Sequence, residues 1–253
     1  MIVCRFEMTK TNQSGSGGSA QFPETPWTQV ALAGDGNTLA HKALSNLCNM
    51  YWYPVYAFLR RSGRGAHDAE DLTQEFFQRV LKANDFGKAE KGKGRLRSYL
   101  LGALKNFLAY DHRRRTAQKR GGGAVVLSFD ADEAEERYAK EPGQDAAPDQ
   151  VFDRRWAMTV LENALGELEA EYKARGKVDL FEALSPQLSL AGVDSADSYE
   201  AIGNRLEMSV GSIKVAVHRL RKRYREMIFR HVAPTVEDEN EVGDELAYFL
   251  SCL

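Results

Sequence analysis

Two stretches of this sequence combine side chains that can hold a nucleic acid. The first, RLRSYLLGALKNFLAYDHRRR at residues 95–115, sets Arg95, Arg97, Lys105, Asn106 and Arg113, Arg114 and Arg115 among Tyr99, Phe107 and Tyr110. Cationic groups neutralise phosphates and rings stack on unpaired bases, each stack worth about 1 to 3 kcal/mol, so this mixture suits single-stranded or partly melted strands. Helix packing accounts for some of the same rings, because Phe107 and Tyr110 share a stripe with Leu96, Leu100 and Ala103.

The second stretch, SYEAIGNRLEMSVGSIKVAVHRLRKR at residues 198–223, has the pattern of a helix-turn-helix. Asp197 or Ser198 can cap a helix with the stripe Tyr199, Ile202 and Leu206, and Ser209 can cap the next, with the stripe Ile213, Val217, Leu220 and Tyr224. Two short amphipathic helices joined by about three residues make the motif. On the second helix Ser212, Lys214, Val215, His218, Arg219 and Lys222 lie outside the apolar stripe, where they can meet base edges and phosphates in a major groove. A basic helix that merely packs on a bundle shares much of this pattern, and the preceding capped helix favours the DNA reader. Glu207 stands where such turns often carry glycine, at a cost of about 1 to 2 kcal/mol if its backbone is left-handed.

A third constellation has the opposite charge. In DAEDLTQEFFQRVL, residues 68–81, Ala69, Leu72, Phe76 and Val80 fall on one side, while Asp71, Gln74, Glu75 and Gln78 fall on the other. Such a face repels DNA and fits a basic protein partner, although a plain solvated face has the same composition. His67, Asp68, Asp71 and Glu75 include metal-ligating types, but the acids lie on different sides of the helix, so no metal site is expected.

These elements sit in a 253-residue chain of net charge −2, in which the distribution of charge is informative. Residues 88–120 hold eleven Lys/Arg against two acids, and residues 205–230 hold eight against two. Between them, residues 128–153 carry nine acids against Arg137 and Lys140, and six acids follow Arg230 with no Lys or Arg. Two basic blocks with acidic spacers describe two anion-binding modules on a tether. Apolar runs are too short to cross a bilayer and the N-terminus lacks a signal-peptide core, so a cytoplasmic protein without membrane contact is expected. Cys4, Cys48 and Cys252 form no zinc-ligand spacing and read as reduced thiols. There is no P-loop, nucleophile elbow or H-E-x-x-H motif, so no catalytic residue and no cofactor are assigned.

The apolar periodicity is helical throughout, which gives an all-α fold of two small helical domains joined by a flexible acidic linker. Helices are expected over 39–61, with Pro54 marking a break or bend, over 68–81, 95–115, 152–174 and 178–185, and in the helix-turn-helix. The resulting division is a flexible N-terminus at 1–21, a first domain at 22–118, a linker at 119–150, a second domain at 151–232 and an acidic tail at 233–253.

Together these pieces resemble an alternative sigma factor of the extracytoplasmic-function (ECF) group of the sigma-70 family. DAEDLTQEFF is similar to that group's polymerase-docking helix, GRLRSYLLGALKNFLAYDHRRR to the elements that melt and read the minus-ten element, and SYEAIGNRLEMSVGSIKVAVHRLRKR to the reader of the minus-thirty-five element. YWYPVYAFLRRSG, AQKRGGG and TVEDENEVGDEL resemble a large-linker branch common in planctomycete-type bacteria. The resemblance implies sigma region 2 in the first domain and sigma region 4 in the second. It further implies that Asp71, Gln74, Glu75 and Gln78 dock on the clamp helices of the largest subunit of core RNA polymerase. Lys105, Asn106, Arg113 and Arg114 become minus-ten contacts, with the loop 82–94 receiving a flipped base. Tyr99 stands where the family usually has Trp, and the insertion around residues 176–197 departs from its compact region 4. Promoter DNA and core polymerase are the implied partners, an anti-sigma factor is a further one the family allows, and the chain is not an enzyme. The competing expectations are a stand-alone helix-turn-helix regulator not coupled to polymerase and a metal-dependent nuclease or recombinase.

Overall fold

The computed structural model describes residues 38–82, 95–117, 131–139, 146–188, 197–236 and 239–253. Among them are nine α-helices and no strand: α1 Thr38–Arg61, α2 Ala66–Lys82, α3 Leu96–Ala117, α4 Ala131–Ala139, α5 Pro148–Ala174, α6 Val178–Leu184, α7 Tyr199–Arg205, α8 Val210–Val232 and α9 Val242–Ser251. The all-α expectation holds. The flexible N-terminus, most of the loop 82–94 and much of the linker lie outside the described residues. None of the helices described is long and apolar enough to cross a membrane.

The first core is built around α1. Tyr51, Trp52, Tyr53, Val55, Tyr56, Ala57, Phe58 and Leu59 are all buried, so over residues 51–59 this helix is covered on every side and lies inside the bundle rather than on it. Of the break or bend expected at Pro54, the break does not occur, and the helix runs through the proline. Proline removes one backbone donor and clashes with the preceding turn, and the packing of neighbours on all sides outweighs that cost. The helix stops at Gly63, whose φ of 85° is the left-handed conformation glycine favours. There Gly63 N donates to Arg60 O and Arg64 N to Leu59 O, both at 3.1 Å, which closes the last turn.

The same core takes Ala69, Leu72, Phe76, Phe77 and Val80 of α2, and Leu96, Leu100, Leu104 and Phe107 of α3. Phe76 meets Phe77 edge-on at 5.3 Å and Phe107 at 5.8 Å between centroids. Tyr110, expected in this stripe, is instead 50% exposed, and Leu104 takes the inward position. The i, i+4 run 96, 100, 104 fixes the buried side of α3, and Tyr110 falls off it toward Arg79 of α2, whose guanidinium lies 4.7 Å from the ring centre.

Helix α5 departs most from the expected division. Its first half contributes Val151, Phe152, Trp156, Ala157 and Val160 to the core around α1, and its second half contributes Ala164 and Leu168 to a second core with Phe181, Leu184, Ile202, Ile213, Val217, Leu220 and Met227. The boundary expected at residue 150 therefore falls within a rigid 27-residue helix that serves both cores. A stripe that is apolar over its full length has no internal signal for where one core ends and the next begins.

Helices form within the segment expected as a flexible linker and within the acidic tail. Within the linker, α4 lies on α1, where Glu135 accepts from Arg60 Nη2 at 2.6 Å, Arg60 Nε at 2.9 Å and Tyr56 Oη at 2.6 Å. Burial alone would raise the Glu135 carboxyl, yet these donors hold it below the usual carboxylate range. Val232 at the end of α8 and, in the tail, Phe249 of α9 enter the first core. Trp156 is fully buried between these parts, with Phe249 edge-on at 5.9 Å and the Arg97 guanidinium 5.7 Å from its ring centre. Trp156→Ala is expected to destabilise the protein by about 3 to 5 kcal/mol, measured by urea unfolding followed by circular dichroism.

A candidate nucleic-acid interface on two helices

The helix-turn-helix assembles as its caps dictate. Ser198 Oγ accepts from Ala201 N at 3.1 Å to start α7, and Ser209 Oγ accepts from Ser212 N at 3.1 Å to start α8. Ile202, Ile213, Val217 and Leu220 are buried between the helices and α5, and the Tyr224 hydroxyl donates to Leu161 O at 3.1 Å. Burial pushes that phenol up to about 12.

The turn itself is built on two residues. Glu207 has φ 54°, so its backbone is left-handed, a geometry the sequence leaves open. Gly203 lies against the following turn so closely that a Cβ there would meet Met208 O at 2.7 Å, while Met208 N donates to Gly203 O at 2.9 Å. The glycine expected in the turn is thus supplied four residues earlier, where it permits close approach rather than a left-handed backbone.

On α8, Ser212, Lys214, Val215, His218, Arg219 and Lys222 are all exposed, with Val215 at 50%. Ser212 Oγ also lies 2.9 Å from Ser209 Oγ, so it shares in the cap. Arg221 is turned aside, its Nη2 donating to Gln187 O at 2.9 Å, and Arg223 pairs with Glu171 at 2.8 Å. The ends of the helix therefore differ: the N-terminal half presents Lys214 and Arg219 outward, and further along Arg221 and Arg223 are turned to neighbouring segments.

In the first module Lys105, Asn106 and Arg113 are exposed, and the Arg114 side chain lies outside the described residues. Lys105 Nζ meets Asp149 Oδ2 of α5 at 2.5 Å, and Arg113 Nε donates to Ala109 O at 3.1 Å. Asn106 lines an open cleft of about 450 Å³ between α2 and α3, together with Arg79, Tyr99, Phe76, Phe107 and Ser98. The cleft offers the Tyr99 ring, an amide, a hydroxyl and a guanidinium, which are the kinds of group that hold an unstacked base. Tyr99 was legible as an aromatic among cations; Arg79 and Ser98 were not, since only the packing of α2 on α3 brings them beside it.

The acidic side of α2 is narrower than its sequence suggests. Asp71 is exposed, Glu75 and Gln78 are half-exposed, and Gln74 is buried, its Nε2 donating to Glu70 Oε1 at 3.3 Å. Gln74 is a correction to the expected face. It stands about 60° around the helix from Phe77, whose buried sector widens to include it. His67 and Asp71 form only an i, i+4 contact at 3.8 Å.

With this geometry in view, the first module can be set beside known proteins. Residues 49–119, which span α2, α3 and most of α1's buried length, match the family model for sigma-70 region 2. Over 230 residues the chain is 24% identical to the ECF RNA polymerase sigma factor SigE of Mycolicibacterium smegmatis, an alignment covering 86% of this chain and 77% of that protein. No solved structure matches the chain.

If Gly203 is present for close approach and Glu207 is strained, the two substitutions act in opposite directions. Gly203→Ala is expected to lower stability by about 1 to 3 kcal/mol through overpacking, and Glu207→Gly to raise it by about 1 kcal/mol, both read from urea midpoints.

Proposed function

We propose that this chain is an alternative sigma factor of the ECF type, which binds core RNA polymerase and directs it to particular promoters by recognising and melting DNA. The observation that carries the proposal is the order and placement of its modules. A sigma-70 region 2 domain with an open aromatic cleft precedes a capped helix-turn-helix whose outward side is cationic. The similarity to an ECF sigma factor over 86% of the chain supports extending the assignment beyond region 2.

In this proposal Asp71, Glu75 and Gln78 seat α2 on the clamp helices of the polymerase largest subunit, where carboxylates face basic groups. Lys105 and Arg113 hold phosphates near the minus-ten element, and Asn106, Tyr99 and the cleft beside them take a base turned out of the stack. Ser212, Lys214, Val215, His218, Arg219 and Lys222 face the minus-thirty-five element from α8. The protein acts by binding, with no catalytic residue, metal or cofactor, in the cytoplasm. We read its acidic linker and tail as those of the large-linker branch common in planctomycete-type bacteria, and an anti-sigma factor is a partner that this reading accommodates.

Two measurements test it. Arg219→Ala is expected to weaken binding of the helix-turn-helix to duplex promoter DNA and to lower the salt slope by about one counterion. Glu75→Arg is expected to abolish co-purification with core polymerase while leaving the circular dichroism spectrum and duplex binding intact. A protein that keeps its polymerase-independent DNA binding and never co-purifies with core enzyme is a stand-alone regulator, and DNA turnover that depends on added divalent metal would instead mark a nuclease.

A further inference from the structure

At the start of α3 two arginines that face the nucleic-acid problem in sequence are already occupied in structure. Arg97 is 6% exposed: its Nε donates to Glu245 Oε1 at 2.7 Å, its Nη2 to Glu245 Oε2 at 3.3 Å and its Nη1 to Asp153 Oδ1 at 3.2 Å. Arg95 Nε reaches Glu245 Oε2 at 3.0 Å. One carboxylate of the C-terminal helix, itself fully buried, thus accepts from both arginines. Tyr248, one turn further along α9, places its ring 3.6 Å from the Arg97 guanidinium and donates its hydroxyl to Asp153 Oδ2 at 2.6 Å. Phe249 completes the contact against Trp156. With Lys105 held by Asp149, three cations of α3 and its approach are countered by carboxylates from later in the chain.

A carboxylate held in a guanidinium fork presents the same geometry as two oxygens of a phosphodiester, and arginine grips either one bidentately. We propose that α9 is a latch: through Glu245 it occupies phosphate-binding positions at the start of α3, and a single strand running along that helix must displace it. The proposal rests on α3 being a nucleic-acid-binding helix.

Three features of α9 fit a releasable element. It is ten residues long, too short to be stable by itself in water, so its order depends on being docked. Only Val242, Glu245 and Phe249 are buried along it, and Leu250 is 43% exposed. The tie is apolar through Val242 and Phe249 and ionic through Glu245, and its ionic part is the kind a competing phosphate can replace. In its docked position α9 also joins α3 to α5, the helix that carries the helix-turn-helix, so the latch keeps the two modules together.

Hydrogen exchange of the full chain, with and without a short single-stranded oligonucleotide at low ionic strength, tests this directly. The amides of residues 242–251 are expected to lose protection when the strand binds, while those of the α5 core around Ala164 and Leu168 keep theirs. Glu245→Gln, which keeps the shape and removes the charge, is expected to bind the oligonucleotide about tenfold more tightly than the unaltered chain, since weakening the closed state raises the competent fraction. Strand binding that protects α3 while residues 242–251 stay as protected as before would overturn the latch, as would an unchanged affinity in a folded Glu245→Gln protein. Should the variant not fold, the exchange result on the unaltered chain decides alone. If neither protein binds the oligonucleotide, the nucleic-acid role of α3 itself fails, an outcome distinct from binding without release.

Discussion

Helix α5 is a single rigid rod buried in two hydrophobic cores, and the relation between the two functional modules follows from it. Phe152, Trp156 and Val160 lock its first half beside α1, while Ala164 and Leu168 lock its second half beneath the helix-turn-helix. A helix cannot bend sharply without a proline, a glycine pair or a bulge to break its hydrogen bonds. The only glycine within α5, Gly166, leaves open space where a Cβ would be and does not interrupt the run. The modules therefore meet through a shared strut instead of a loose tether.

Charge reinforces what the apolar packing begins. The acidic residues that follow the first basic block do not simply keep the surface off phosphates. Glu135 seats α4 on Arg60, Asp149 meets Lys105, Asp153 and Glu245 close on Arg97, and Arg137 reaches Glu162. The pairs on Arg97 are buried and interlocked, whereas those of Lys105 and Arg137 are half-open to water and contribute little to stability. The balance of −2 over the whole chain thus hides an internal neutralisation of specific cations.

The elements with a strong 3.6-residue period were legible in the sequence. The stripe Ala69, Leu72, Phe76 and Val80 is buried as its spacing requires, and Ser198 and Ser209 cap their helices as their types suggest. So were the exposed positions of α8, because polar residues opposite a narrow apolar stripe have nowhere else to point. The failures have a common cause. Gln74, Tyr110 and the boundary at residue 150 depend on how wide a buried sector becomes once neighbours pack, which one strand of sequence does not encode. Glu245 looked like one more solvated acid in an acidic tail, since its partners Arg95 and Arg97 lie about 150 positions away in the chain. The cleft between α2 and α3 was half visible, through Tyr99 and Asn106, and needed the tertiary contact to bring Arg79 beside them.

Helix α8 has one end among the outward cations and the other in the first core, where Val232 is fully buried. Its 23 residues, at 1.5 Å each, make a rod about 34 Å long. A tilt of about 5° imposed on its capped end by a duplex would move its far end by about 3 Å if it pivoted there, more than a close-packed interior tolerates without repacking. Helix α8 is in this sense a lever whose far end is set in the other module's interior, so that under the proposed function a force from a bound duplex would be felt at a distance from where it is applied.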